Sequence, residues 1–179
     1  GTAGGESSHA DSGGTASGDV SHADSGGTAS GNYSHASSNG NATGDYSHAA
    51  GYACYAGSAY SHAEGRATQA SGMYSHTEGC NTIASAQYSS ASGYFTHINT
   101  EAGTAIGRYN NTQTDALFVI GNGASAQASD ALVVHENGRM DIYGTEFVHG
   151  DIGTSGTIDA TGNITSDGMI LDTPINVLA

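Results

Sequence analysis

"YSHAEGRATQASGMYSHTEG", residues 60–79, contains one phrase twice, fourteen residues apart. Ser61, Ala63 and Gly65 are echoed by Thr68, Ala70 and Gly72, then by Ser75, Thr77 and Gly79, so a half-period of seven runs inside the longer one. Small residues occupy alternate positions, and period two marks an extended strand whose side chains point to opposite faces. One face is Ser/Thr, Ala and Gly, which lets two backbones approach closely. Two seven-residue strands per copy predict a narrow roll with only hydroxyls, methyls and hydrogens inside.

The same phrase runs outward along the chain. Its histidines are His9, His22, His35, His48, His62 and His76, spaced by 13, 13, 13, 14 and 14 residues, and Ser90 and Thr104 continue the step without the imidazole. A repeat of this length predicts a solenoid in which each copy packs only on its neighbours. Tyr33, Tyr46, Tyr60 and Tyr74 precede four of the histidines, and Glu64 and Glu78 follow two of them. On a strand, Tyr60, His62 and Glu64 fall on the face opposite the small residues. Stacked at the ~4.8 Å strand spacing, the copies predict ladders of tyrosine, histidine and glutamate.

Composition points away from a conventional globule. Leu, Ile, Val and Phe total 23 of 179 residues, five of them before Arg108, and the formal charge is −14. Such a chain resembles a disordered one by composition, but the strict period argues for order. So few large apolar groups predict that each chain leans on partner copies. Three arginines, no lysine and 17 carboxylates exclude a basic footprint for nucleic acid or an anionic membrane, leaving cations or neutral glycans as partners. No apolar run is long enough to span a bilayer, and with no initiating Met and Gly1 inside a repeat copy the chain reads as a piece of something longer.

Cys54 and Cys80 are expected as free thiols, two coils apart on one strand row and beyond the ~7 Å reach of a disulfide. Asn32, Asn41, Asn110 and Asn163 open N-x-[ST] triplets that a chain rich in these residues contains by chance. "SHAD" and "SHAE" line up Ser, His and an acid. In a strand, however, Ser61 faces away from His62 and Glu64, so no triad forms and no catalytic residue is assigned. No cofactor is implied either.

After Arg108 the pattern changes. "DALFVIGNG", 115–123, is answered by "DALVVHENG", 130–138, each ending in an Asn-Gly turn signal. From Gly138 onward glycines recur every six residues, with Ile152, Ile158, Ile164 and Ile170 each two places after a glycine. That period is also the one of hexapeptide acyltransferases, but 138–173 is too short for more than about two such coils. The chain therefore divides into head repeats at 1–108, a strand-turn transition at 109–145 and a Gly-rich β shaft at 146–179.

The [ST]-x-A-x-G repeat resembles the head repeat of trimeric autotransporter adhesins of the YadA type, and "GTAIG", 103–107, is close to that family's wording. "YSHAEG" is similar to related repeats in phage and prophage tail fibres, as are "ALVVHENGRMDIYG", 131–144, and "GTIDATGNITSDG", 156–168. The resemblance implies an all-β homotrimeric fibre of left-handed parallel β-roll repeats, followed by a smaller trimeric neck or shaft. It further implies a structural, receptor-binding segment of a virion tail fibre that attaches to a host cell-surface receptor, with a glycan as the candidate, without inserting in the membrane. The alternatives are a bacterial cell-surface adhesin and a purely structural extracellular filament.

Adhesin heads carry Val and Ile where this chain has His and Glu. Three readings of the ladder follow: a protomer interface with Tyr and Glu as partners, a metal on a three-fold axis, or a solvent face that meets the receptor. One His per copy lacks the pairs that metal sites usually use, so no metal ligand is assigned. His97, His135 and His149 lie outside the phrase and are expected as surface or strand residues.

Overall fold

A computed structural model describes residues 1–143; the six-residue glycine period of the expected shaft, with His149 and Asn163, lies outside the described residues. The chain winds as a parallel β-solenoid, and among the described residues there is no helix. Each coil contributes one strand to an eight-stranded sheet, from Thr2–Ala3 to His97–Ile98, and one to an eleven-stranded sheet that carries the histidines. Successive coils are in register, so His62 pairs with His48 and His76, and Gln69 with Tyr55 and Ile83.

The interior is as small as the sequence demands. One wall is Ala16, Ala29, Ala42, Ala56, Ala70, Ala84 and Ile98; the other includes Ala23, Ala36, Ala49, Ala63, Thr77, Ala91 and Ala105; all are fully buried. Between the walls lie the serines. Ser21, Ser34, Ser47, Ser61, Ser75 and Ser89 each turn inward and donate a hydrogen bond at 2.6 Å to the carbonyl three residues earlier. A hydroxyl at this position closes the turn and is itself paired, which is why the repeat keeps Ser there.

Three expectations need correction. Within 1–108 the strands are not seven residues long: they run two to five residues, separated by turns. Gly65 does not continue the inward row of Ser61 and Ala63. It is exposed at φ +108, as are Gly79, Gly93 and Gly107, with Gly51 half-buried in the same row at φ +116, and a Cβ at Gly65 would collide with the carbonyl oxygen of Gly79 in the next coil. Only glycine fits such a stacked left-handed corner. Finally, Cys54 and Cys80 are free but not on one row. Cys54 is buried beside the strand Tyr55–Ala56, whereas Cys80 ends His76–Cys80 in the other sheet, paired to Arg66 and Tyr94.

The change from thirteen to fourteen residues has a local cause. The shorter coils turn at paired left-handed residues, Ser12-Gly13, Ser25-Gly26 and Ser38-Asn39, and their histidine strands have two or three residues. In the longer coils the corner moves to glycine, and the strands His48–Tyr52, His62–Arg66 and His76–Cys80 have five.

The two sheets end differently. Asn110 is buried; its side-chain oxygen accepts from the His97 N–H at 2.7 Å, and its amide donates to the His97 carbonyl at 2.8 Å. A side chain thus occupies the place of the next strand. The histidine-bearing sheet continues past Arg108: Ala116–Asn122 pairs parallel with Thr104–Arg108, then Asp130–His135 and Met140–Ile142 add antiparallel strands. Val119 and Val133 fill the interior where alanine stood before.

Because Ala63 is fully buried and Gln69 points outward, Ala63→Leu is expected to destabilise the roll by about 1–3 kcal/mol through overpacking. Gln69→Leu is expected to stay within about 0.5 kcal/mol of wild type. Denaturant unfolding of both variants checks the assignment of faces, and equal losses would overturn it.

Candidate functional site

The in-register coils convert each outward position into a row. His9, His22, His35, His48, His62 and His76 form one, with successive ring centroids 4.7 to 5.2 Å apart. The middle rings lie flat on one another, at 16° for His22–His35 and 5° for His35–His48. Towards His76 the rings tip to 79°. His35, His62 and His76 keep 38 to 42% of their side-chain surface exposed, so within one chain this row lines an outer face.

Two residues further along the strand runs the acidic row. Glu64 Oε2 stands 3.6 Å from His62 Nε2, and Glu78 Oε2 stands 3.9 Å from His76 Nε2. Ser92 continues that row and donates to Glu78 Oε1 at 2.7 Å. Beside it the exposed glycine corners leave an open groove of about 460 Å3 lined by Glu64, Gly65, Glu78, Gly79, Ser92 and Gly93.

The tyrosines do not share the histidine strand face, contrary to the reading of Tyr60, His62 and Glu64 as one set. Tyr33, Tyr46, Tyr60 and Tyr74 sit in the preceding turn with φ of 57 to 60°, which ends the period-two alternation before it reaches them. Each forms its own stack: planes within 10° and centroids 4.8 to 5.2 Å apart from Tyr33 to Tyr88. Tyr88 belongs to this row although its coil has Ser90 in place of histidine, and its place fourteen residues after Tyr74 is the signal that locates it. A left-handed conformation costs a bulky residue roughly 1–2 kcal/mol. The offset is visible at each turn, where the Tyr60 N–H, for one, donates to the Asp45 carbonyl of the previous coil at 2.9 Å. Each of these tyrosines is 45 to 55% exposed.

Asp and Asn in the tyrosine turn do similar work. Asp19, Asn32 and Asp45 accept, through their side chains, the backbone N–H groups of Glu6, Asp19 and Asn32 one coil earlier, at 2.8 to 3.0 Å. Asn110 already donates through Nδ2, the atom a glycan would need, whereas Asn32 serves the fold through Oδ1.

Ser61 is buried and bonded to the Ser58 carbonyl, with His62 on the opposite side of the strand, so serine and imidazole do not meet. His97 lies in the other sheet, 3.2 Å from Thr112 Oγ1 through Nδ1. His135 is a strand residue but not a surface one: it is 4% exposed, with Nδ1 at 3.0 Å from Asp115 and Nε2 within 2.9 Å of Arg139. Its Nε2 also lies 3.1 Å from Asp141 Oδ2, and Arg139 donates to the same carboxylate at 2.9 Å, so the ring sits between two acids and a guanidinium. Sequence alone gave no hint of this cluster, because its four members come from separate strands and loops.

Clusters able to hold a metal lie at the other end of the roll, where His9, Asp11 and His22, and His22, Asp24 and His35, bring donor atoms within 4.8 Å of one another. No family model matches this chain, and no curated protein matches it.

Partial burial pushes the His48 and His62 imidazoles below their ordinary value. Neighbouring imidazoles push in the same direction, His62 and His35 on His48 and His76 on His62, while Glu64 offsets part of the effect at both and Glu78 at His62. A folded value below the unfolded one near ~6.5 means that the unfolded chain binds more protons in this window, so stability falls as pH drops through about 6.5. The variant His48→Gln/His62→Gln is expected to lose less thermal stability than wild type between pH 7.5 and pH 5.5. Superimposable pH profiles of the melting midpoints would exclude this origin.

Proposed function

We propose that this chain is a segment of a homotrimeric fibre, from a phage or phage-like tail, that spans distance and presents a repeated surface for attachment to a host cell. One observation carries the association: the outward rows of the histidine-bearing sheet change character along the roll. The histidine row continues through Ser90 and Thr104 to Phe118, Val134 and Met140. The acidic row continues through Ser92 and Ile106 to Ile120, Leu132 and Ile142. All seven of these large apolar side chains are partly or wholly exposed. A contiguous apolar face on a chain so poor in apolar residues is the mark of an interface, and a second and third copy of the same chain cover it most economically. The polar part of the face then continues the contact, with imidazoles that both donate and accept.

The tyrosine stack supports the attachment role. Parallel, half-exposed rings offer flat apolar surfaces with a hydroxyl edge, suited to a neutral sugar, while the charge of −14 disfavours an acidic one. The adhesin reading has Ile106 on its side, since "GTAIG" places isoleucine on the outward row where adhesin heads carry it.

Size-exclusion chromatography with light scattering is expected to give an elongated trimer, and Phe118→Asp/Ile120→Asp is expected to dissociate it. A folded wild-type monomer would refute the assembly. On a glycan array, Tyr46→Ala/Tyr60→Ala/Tyr74→Ala is expected to remain trimeric and lose at least tenfold in binding to neutral glycans; unchanged binding would remove the tyrosine row as the contact.

A further inference from the structure

The two N-terminal copies of the phrase read His9-Ala-Asp11 and His22-Ala-Asp24, and the third reads His35-Ala-Ser37. An aspartate two residues after the histidine stays on the same outward side, and the coils remain bonded in register through it: the Asp24 N–H donates to the Ala36 carbonyl at 3.0 Å. One histidine per copy therefore does not mean one histidine per site. Parallel pairing supplies the second from the next coil, and His22 and His35 are stacked with centroids 5.0 Å apart.

We propose that His22, Asp24 and His35 form a three-ligand site for a divalent transition-metal ion of the zinc class. One donor atom from each lies within 4.8 Å of the others. A tetrahedral ion with bonds near 2.0–2.2 Å holds its ligand atoms roughly 3.3 Å apart, so a small rotation of each side chain closes the site. Asp24 Oδ2 and His35 Nε2 are already 3.7 Å apart. Two imidazoles and one carboxylate are the donor set of zinc, nickel or copper, and not of calcium or magnesium, which take oxygen ligands. Water completes the shell. The site needs only one chain and stands independently of the association proposed above.

The choice of this triad over His9, Asp11 and His22 rests on the free donor. His9 Nε2 is hydrogen-bonded to Asp11 Oδ2 at 2.9 Å, and both side chains are largely exposed, at 66% and 58%. His35 Nε2 is buried from solvent and has no hydrogen-bond partner, and the side chains of His35 and Asp24 are only 42% and 33% exposed. A neutral nitrogen hidden from water and facing a carboxylate is costly unless a proton or a metal fills the gap. Both triads require His22, so they bind one ion between them. His62 Nε2 is likewise buried without a partner, but His62, Glu64 and His76 are not among the groups of described residues whose three donor atoms come within 4.8 Å of one another.

The test is calorimetric titration of the full chain, stripped with chelator, with zinc chloride at pH 7.5. One ion per chain is expected, bound at least tenfold more weakly by His35→Gln and by the near-isosteric Asp24→Asn, and unchanged in His9→Gln and His62→Gln. Cobalt loading is expected to give a visible absorption band in wild type that is missing from His35→Gln, and zinc affinity is expected to fall at pH 5.5 as protons compete for the imidazoles. No binding in wild type overturns the proposal. So does binding that His35→Gln and Asp24→Asn leave intact, or that His9→Gln abolishes.

Discussion

Everything in this molecule depends on the in-register hydrogen bonding of one coil to the next. Each coil is two short strands and two corners, too small to bury anything alone, and the backbone bonds between coils fix its neighbour directly above it at the strand spacing of about 4.8 Å. Identity of sequence then becomes identity of position. Alanine stacks on alanine inside, glycine on glycine at the outer corner, tyrosine on tyrosine in the turn and imidazole on imidazole on the outer face.

The same constraint decides what each row tolerates. Ser61 and its counterparts hold their place because the hydroxyl answers a carbonyl inside a dry core. The glycine corner tolerates no other residue because the next carbonyl occupies the space of a side chain. On the outside the restriction is electrostatic. Within the column, His48 and His62 resist protonation through burial and the neighbouring imidazoles, and the glutamates beside them ease that resistance only in part. Where the acids are aspartates and the coils are thirteen residues long, donors converge; where they are glutamates they do not.

Much of this was legible in the sequence. The period of thirteen and fourteen locates every coil, and the alternation over Ser61-His62-Ala63 assigns inside and outside correctly. It misleads at both ends of the phrase, at Tyr60 and Gly65, because period two holds only while the chain is extended and these two residues turn left-handed. A lone sequence shows the occurrence of tyrosine and glycine there but not the sign of φ. The change of face from His and Glu to Phe118 and Ile120 also lay hidden. It emerges only when Ala116–Asn122 is found to pair in register with Thr104–Arg108, so that residues outside the phrase inherit its rows. The His135 cluster joins Arg139 and Asp141, around the following turn, to Asp115 on a preceding segment, and had no period to reveal it.

Asn110 ends one sheet by offering an amide where a further strand would bind. Nothing in that cap senses how many coils lie beneath it, and each coil touches only its neighbours. The roll can therefore behave as a ruler graduated in steps of about 4.8 Å. A duplication or loss of one thirteen- or fourteen-residue unit in the gene would change the reach by one graduation and leave the terminus that follows it unaltered. Length in such a protein is open to selection without redesign of its fold.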